Sequence, residues 1–179
     1  MFTHEAVRDW EARFAPLIAE QLRTKRRGQA GTSWYVDETY VKVHGKWCYL
    51  YRAIDRDGNL VDSRLSERRD MDAAKRVTTD GHDAYPRAIR ETLGTDVVHR
   101  TNAYLNNRIE QDHRGIKQRY YPMRGFGNFT SASRFCRAFE EVRQFFRFRT
   151  TMSQHVSLSD RRHLFRQRLD ALKDMVLVA

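Results

Sequence analysis

The sequence predicts a mixed α/β fold in which a sheet is flanked by helices, with helical extensions at both ends of the chain. Three successive segments alternate in polarity, are rich in aromatic and β-branched residues, and are separated by short turn sequences. A further short apolar segment is followed by helical periodicity, which also dominates both ends of the chain. The predicted order, in which strands come first, strand–helix units follow and helices come last, is typical of a mixed sheet with flanking helices.

The first part of the chain is predicted to form one helix and a three-stranded meander. Apolar residues recur at spacings of three and four over residues 3–22, with Thr3 as the cap and Pro16 as a kink or break. Residues 24–33 are basic, contain glycine and have no periodicity, which indicates a linker. The predicted strands are 34–43, 46–55 and 60–66, joined by His44-Gly45 and by Asp57-Gly58-Asn59.

The second part is predicted to alternate short strands with helices. A fourth strand at 77–80 follows the charged run 67–76. A helix at about 85–92 and a short strand at 96–99 come next, and three longer helices are predicted at 103–119, 130–149 and 159–176. Aromatic residues dominate the apolar stripe of the second long helix, and leucines dominate the apolar stripe of the third. The predicted inward residues are Phe135, Phe139, Val142, Phe145, Phe146, Leu164, Leu169, Leu172 and Val176.

The composition indicates a basic chain that can bury one core. Of its 179 residues, 40% are hydrophobic and 31% are charged, and the formal net charge is +10. Such a charge favours polyanionic partners, because Lys and Arg that neutralise phosphates release counterions; a basic protein without a nucleic-acid role is the alternative. Cys48 and Cys136 have neither metal-ligand nor disulfide spacing, so we expect reduced, buried thiols. No segment resembles a membrane span or a signal peptide, and we expect a cytoplasmic, nucleoid-associated protein without a membrane partner.

Three acidic residues occupy positions that suit metal ligands. Asp37 lies inside the first strand, where a carboxylate in an apolar setting is unusual. Asp80 ends the fourth strand, and ligands of open α/β sheets collect at the ends of strands. Glu110 lies on the first long helix, with Arg114 and Lys117 on the same face. Convergent carboxylates are hard ligands that suit Mg²⁺, and without a cation they would repel each other.

Each of these acids also has a simpler explanation. Asp37 can be an edge-strand side chain in solvent, Asp80 with Gly81 can belong to a turn, and Glu110 can be an ordinary surface charge. The cations beside Glu110 can likewise form ordinary surface pairs worth a few tenths of a kcal/mol. The arrangement of Glu110, Arg114 and Lys117 suits binding to a phosphate backbone, because the acid can bind a metal ion while the cations bind the DNA strand.

The stretch 100–149 is strongly basic. It contains eleven Lys or Arg against four Asp or Glu, and ten of the eleven are Arg, whose planar guanidinium suits phosphate oxygens. Aromatic residues are interleaved with these cations, and glycines there would let a loop approach a backbone closely. We therefore expect a DNA-facing surface, the alternative being a solvated cationic face on a core helix. The aromatic and glycine residues are Tyr120, Tyr121, Phe126, Phe129, Gly125 and Gly127.

Three segments resemble the catalytic segments of IS6-family transposases, the group of the IS26 and IS240 elements. They are VDETYVKVHGKW around Asp37, TDGHDAYPRAI around Asp80 and YLNNRIEQDHRGIKQR around Glu110, and the similarity runs over most of residues 1–175. The resemblance implies a ribonuclease-H-like mixed sheet with flanking helices and N- and C-terminal helical extensions. It also implies that Asp37, Asp80 and Glu110 are the catalytic and metal-binding acids, with two Mg²⁺ ions that Mn²⁺ can replace.

The resemblance further implies contacts with double-stranded DNA, both element ends and target. Lys117 is implied to lie near the scissile phosphate. Asp83 and Asp112 are implied to be supporting or structural acids. His82 and His113 need not be ligands and are expected to be hydrogen-bonding neighbours. We expect a homo-oligomer on the DNA, with the DNA-binding residues Arg108, Arg114, Lys117, Arg119 and Arg124.

Three domains are expected: a remnant helical DNA-binding segment with its linker at 1–30, a ribonuclease-H-like catalytic core at 31–150, and a C-terminal helix at 151–179. The N-terminal helix resembles part of the family's helix-turn-helix module, which one helix alone cannot form. Residues 67–76 stand where the family has a full helix, so roughly twenty residues are expected to be missing before Asp80. The remaining connection could barely make the crossover and would leave one sheet face uncovered.

These observations leave three hypotheses for the function. The first is a DNA transposase that cleaves DNA and transfers the strands of an insertion sequence with the help of metal ions. The second is a catalytically inactive, internally deleted remnant that binds DNA through its Arg-rich helices. The third, a general metal-dependent nuclease, is disfavoured by the match to VDETYVKV and NNRIEQDHRGIK.

Overall fold

The structure is a computed structural model, and it describes residues 3–26, 34–68, 107–148 and 156–177. Within these ranges it is mixed α/β, as predicted. The strands are β1 (Trp34–Val43), β2 (Lys46–Asp55) and β3 (Leu60–Ser66), and the helices are α1 (His4–Arg26), α2 (Asn107–Met123), α3 (Phe129–Phe146) and α4 (Leu158–Leu177). The chain divides into two compact units, a larger one of Gln29–Arg137 and a smaller one of Met1–Gly28 with Ala138–Ala179.

The three strands form an antiparallel meander in the order β1-β2-β3, with the bounds predicted from the sequence. His44 and Gly45 have φ values of +49° and +79°, so the first hairpin has two left-handed turn residues that match the twist of its strands. In the second hairpin the carboxylate of Asp55 accepts the N–H groups of Asp57 and Asn59 at 2.9 and 2.7 Å. Both predicted turns are therefore confirmed.

One face of the meander packs against α2 and forms the core of the larger unit. Because side chains alternate along a strand, the buried residues of this face follow from the register. They are Thr39, Val41, Val43, Cys48, Leu50, Arg52, Ile54, Leu60 and Leu65, and α2 contributes Ile109, Ile116 and Tyr120. On the opposite face Val36 and Ala53 form a small cluster with Val61, whereas Tyr40 and Trp47 are 46% and 57% exposed. Both cysteines are buried free thiols, as predicted.

The helices α2 and α3 differ from the prediction at their ends. α2 continues to Met123, four residues beyond the predicted end, with Pro122 in its last turn. A proline so close to the end of a helix removes only one ladder hydrogen bond. α3 begins where the Asn128 side-chain oxygen accepts the N–H of Ser131 at 2.8 Å, and it ends at Phe146 rather than at 149.

The smaller unit contains α1, the second part of α3, and α4. The Thr3 hydroxyl accepts the N–H of Ala6 at 3.1 Å and caps α1, as predicted. α1 is continuous through Pro16, so the predicted division there is wrong; packing of the later turns outweighs one lost ladder bond. It also extends into the predicted linker as far as Arg26. The guanidinium of Arg26 binds the Glu141 carboxylate of α3 through two hydrogen bonds of 2.6 and 2.7 Å.

α4 begins at a reciprocal cap. The Ser157 hydroxyl accepts the N–H of Asp160 at 3.1 Å and donates to its carboxylate at 2.7 Å. The buried residue of this helix is Met175, while the residues predicted to point inward are half-buried. The ring of Phe165 lies 5.1 Å from that of Phe146, which joins α4 to the end of α3 within this unit.

Some predicted features lie outside the described residues. They are the fourth strand at 77–80 with Asp80, the helix at 85–92, the strand at 96–99, and the neighbours His82 and Asp83. The domain boundaries expected at residues 30 and 150 stay predictions. Among the helices of the described ranges, none combines the length and hydrophobicity needed to cross a membrane.

Candidate active site

Asp37 lies in β1 with its side chain toward α2. Its Oδ1 atom accepts the backbone N–H of Glu38 at 2.9 Å, and its Oδ2 atom lies 3.7 Å from Nδ1 of His113. The side chain is only 16% exposed, so the simpler explanation of an edge-strand acid in open solvent does not hold. Asp37 is therefore a largely desolvated carboxylate, with one oxygen bound to the backbone and the other beside an imidazole.

α2 carries Glu110 about one turn before the residue that faces Asp37. Glu110 is exposed and precedes His113 by three residues, which is about one helical turn, or about 5 Å along the axis. His113 is 3% exposed and faces Asp37. Two of the three predicted acids thus lie on neighbouring elements, with Glu110 about one turn of α2 from the residue that contacts Asp37.

The third predicted acid, Asp80, lies outside the described residues. Within the described ranges, no group of three or more His, Cys, Asp or Glu side chains could hold a metal ion. Asp37 and Glu110 are nevertheless hard oxygen donors of the kind that Mg²⁺ prefers, and few protein carboxylates are needed because water or substrate fills the other positions. The two acids therefore fit a hard divalent cation as part of the expected three-acid set.

Sequence reasoning missed a buried ion pair beside these acids. Arg52 in β2 lies opposite Asp37 in the strand register, and its Nη2 atom donates to Oδ2 of Asp112 on α2 at 2.5 Å. The side chain of Arg52 is 1% exposed and that of Asp112 is 6% exposed. The sequence signal for this ion pair was Arg52 in the apolar middle of the strand KWCYLYRAID, because a fully buried arginine needs an acidic partner. Asp112 is the acidic partner of this buried arginine, and its implied supporting or structural role stays a prediction.

A second connection between α2 and β1 involves residues that were expected to face DNA. The Tyr120 hydroxyl accepts the N–H of Lys42 at 2.6 Å, and burial of its ring raises the pKa of Tyr120. Phe126 donates its N–H to the Lys42 carbonyl at 2.9 Å and accepts the N–H of His44 at 2.7 Å. Gly125 does approach a backbone closely, but this backbone is β1 itself. The expectation of a DNA-facing role is therefore wrong for Tyr120 and Phe126.

Basic residues of the predicted DNA-binding set lie on and just after α2. The members whose side chains are described are Arg114, Lys117, Arg119 and Arg124, whereas the side chain of Arg108 is outside the described set. All four are exposed except Lys117, which is half-buried, and the neighbouring Tyr121 is 61% exposed. Arg114 and Lys117 therefore form a basic side of α2 on the face of Glu110, whereas Arg119, nine residues after Glu110, lies on the opposite face.

A profile of the DDE domain of IS240-type transposases matches residues 31–78 and 75–149. These segments cover well over half of the chain and include Asp37, Asp80 and Glu110. The chain belongs to the IS6 family of DDE transposases. The resemblance predicted from the three motifs is thereby confirmed.

Insertion-sequence transposases of Staphylococcus aureus are among the relatives of this IS6-family chain. Those of the element IS431mec and of IS257 in transposon Tn4003 are each 37% identical over 134 residues, which cover 65% of this chain and 59% of the relative. An uncharacterised protein of Yersinia pseudotuberculosis is 39% identical over 81 residues, covering 36% of this chain and 76% of that protein. The chain thus spans less than two thirds of the staphylococcal transposases. No solved structure matches it.

This IS6-family chain has fewer residues than its relatives over the matched region. The profile matches in two segments that meet at residues 75–78, where the 67–76 connection ends. The alignment with the IS431mec transposase is 134 residues long, yet 65% of the 179 residues of this chain is only about 116. About 18 aligned positions of the relative, 134 less 116, therefore have no residue here.

Proposed function

We propose that this chain is the DNA transposase of an insertion sequence, and that it cleaves DNA and transfers strands on a ribonuclease-H-like core. The observation that carries the proposal is that Asp37 faces His113 of α2, the helix that carries Glu110 about one turn earlier, in a chain of the DDE family. Asp80, in the family's second catalytic segment, would complete the set.

Asp37, Asp80 and Glu110 would hold two Mg²⁺ ions, for which Mn²⁺ can substitute. Asp37 is oriented for this role, because the N–H of Glu38 holds one carboxylate oxygen and His113 lies beside the other. Its low exposure strengthens its attraction for a cation, since charges interact more strongly in a less polar environment. When bound, such ions activate water or a DNA 3′-hydroxyl for in-line attack on a phosphodiester.

The basic side of α2 would hold the DNA. Arg114 and Lys117 follow Glu110 by one and two turns on one face of the helix, so they would reach phosphates next to the bond that reacts. These residues would position the duplex rather than read its sequence, because contacts to phosphate carry no base information. We expect a homo-oligomer that binds element ends and target DNA at the nucleoid in the cytoplasm. The remaining proposed contacts are Arg108, Arg119 and Arg124.

A second candidate function is an inactive remnant that binds DNA without cutting it. The about 18 missing positions and the break of the profile match at residues 75–78 support an internal deletion before Asp80. The exposure of Tyr40 and Trp47 also supports it, because a shortened crossover would leave part of this sheet face uncovered, here the end away from the buried Val36 and Ala53. In this candidate Asp80 does not reach Asp37, whereas the basic side of α2 is retained.

One assay separates the two functions. The purified chain is incubated with Mg²⁺ or Mn²⁺ and DNA that carries candidate element ends, beside the site variants Asp37→Asn and Asp80→Ala. Asp62→Asn is the matched control, because exposed Asp62 is opposite Ala53 and so lies on the sheet face away from α2.

An active transposase gives cleaved or joined DNA with the parent and with Asp62→Asn, and none with either site variant. If the parent produces no more cleavage than Asp80→Ala, the active-transposase proposal fails. DNA binding that is equal in all four proteins and falls steeply with salt would then support the remnant.

A further inference from the structure

A buried arginine connects the two elements that carry the candidate acids. Arg52 lies directly opposite Asp37 in the β1–β2 register, and paired residues of an antiparallel ladder point to the same face of the sheet. The guanidinium of Arg52 donates to Asp112, which follows Glu110 by two residues on α2. The ion pair therefore joins the strand position beside Asp37 to the helical turn that carries Glu110.

Two adjacent contacts restrain α2 over the strands. Arg52 and Asp37 are cross-strand partners, and they contact the consecutive helix residues Asp112 and His113 at 2.5 and 3.7 Å. A slip of α2 by one residue would move it about 1.5 Å and turn it by about 100°. Such a slip would break both contacts and shift Glu110 relative to β1 by the same rotation and rise.

Burial makes this ion pair a poor explanation of stability. Arg52 and Asp112 are 1% and 6% exposed, so both charges are removed from water. Two apolar residues of similar volume generally stabilise such a position as well or better, because they avoid this desolvation. What an apolar pair lacks is direction, since a guanidinium bonds a carboxylate only in defined geometries.

We propose that Arg52 and Asp112 are positioning residues for the metal site. The pair fixes the helical turn that carries Glu110 over the strand position beside Asp37. The inference rests on the proposed function, because it requires Asp37 and Glu110 to be metal ligands.

The test compares Mn²⁺ binding by the full chain and by variants of the pair. Arg52→Met combined with Asp112→Leu replaces the ion pair by apolar side chains, and Arg52→Lys keeps the charge but loses the planar guanidinium. Binding is measured from the loss of the free Mn²⁺ signal in electron paramagnetic resonance, and folding from circular dichroism. Asp62→Asn controls for the loss of one acid on the other sheet face.

We expect the folded double variant to bind Mn²⁺ about tenfold or more weakly, as is found when residues that support metal ligands are removed. Arg52→Lys should show a smaller loss, and Asp62→Asn should bind as the parent does. Parent-like affinity in every pair variant that folds would overturn the proposal, and Arg52→Lys decides it if the double variant does not fold.

Asp37→Asn distinguishes this failure from a failure of the proposed function. If Asp37→Asn binds Mn²⁺ as tightly as the parent, the metal site itself is wrong and the positioning role falls with it. If Asp37→Asn alone weakens binding while the pair variants do not, the metal site stands and only the positioning role is refuted.

Discussion

Gly125 offers a direct test of how the end of α2 is joined to β1. Its φ of +120° lies in a region that residues with a side chain rarely adopt. An added Cβ would lie 2.9 Å from the carbonyl oxygen of Lys42 and 3.5 Å from its Cβ. Because the nearest atom belongs to the backbone of a strand, it cannot turn away as a flexible side chain would. Gly125→Ala therefore requires either the loop or β1 to move.

The expected loss of stability has two parts. A non-glycine residue held in a sparsely populated backbone region costs about 1–3 kcal/mol. The required movement also strains the hydrogen bonds of 2.9 and 2.7 Å that Phe126 makes to Lys42 and His44, each worth about 0.5–1.5 kcal/mol. We expect Gly125→Ala to lower the free energy of unfolding by about 2–4 kcal/mol.

Urea unfolding followed by circular dichroism measures the effect, with Gly127→Ala as the control. An added Cβ on Gly127 meets no atom within 4 Å, so this change should alter the free energy of unfolding by at most about 0.5 kcal/mol. Both substitutions remove one glycine from the same loop and restrict the unfolded chain equally. If the two variants differ by less than about 0.5 kcal/mol, the close approach of Gly125 to β1 is refuted.

Three further predictions concern other parts of the described chain. Arg26→Met should lower the free energy of unfolding by about 3 kcal/mol, because it leaves the buried Glu141 carboxylate without its guanidinium partner. The control Lys173→Met, in an exposed pair, should change that free energy by less than about 1 kcal/mol. Urea unfolding measures both variants. Thr39→Val should raise the free energy of unfolding by about 1 kcal/mol, since the buried Thr39 hydroxyl has no hydrogen-bond partner in the described part of the chain; an unchanged or lower value contradicts this. Cys48 is buried, and its pKa is raised by desolvation and by the charge of Glu67. A thiol reagent at pH 8 should therefore modify Cys48 only after unfolding. Rapid modification of Cys48 in the folded chain would show instead that β2 opens.

The strands were predictable because their signals are local. Alternating aromatic and β-branched residues define each strand, and His44-Gly45 stops the first strand wherever the rest of the chain lies. The end of α2 was less predictable, because Pro122 suggests a stop while packing of Tyr120 on β1 favours another turn. Pro16 was misleading for a similar reason, since one missing hydrogen bond is a weak signal against the packing of a long helix.

The three acids were predicted from sequence motifs and their roles stay a prediction, whereas the ion pair beside Asp37 could not be predicted. Asp37 and Glu110 stand in motifs with family-specific neighbours, so their identity follows from short stretches of sequence. The partner of Arg52 is 60 residues away along the chain, and no periodicity links the two positions. Tyr120 and Phe126 were misassigned because aromatic residues among arginines are as typical of a nucleic-acid surface as of a core. Only the position of β1 distinguishes the two.

The contact between Arg52 and Asp112 closes a loop of 60 residues, and this length has a consequence for how the family can change. The entropy of closing a flexible loop grows only with the logarithm of its length, so a loop of roughly 80 residues would cost about 0.3 kcal/mol more than one of 60. Shortening the connection therefore hardly affects docking of α2 on the meander. The proposed loss of residues before Asp80 is therefore compatible with the contacts that join Asp37 and Arg52 to α2. Retention of these contacts alone does not indicate whether the chain cuts DNA.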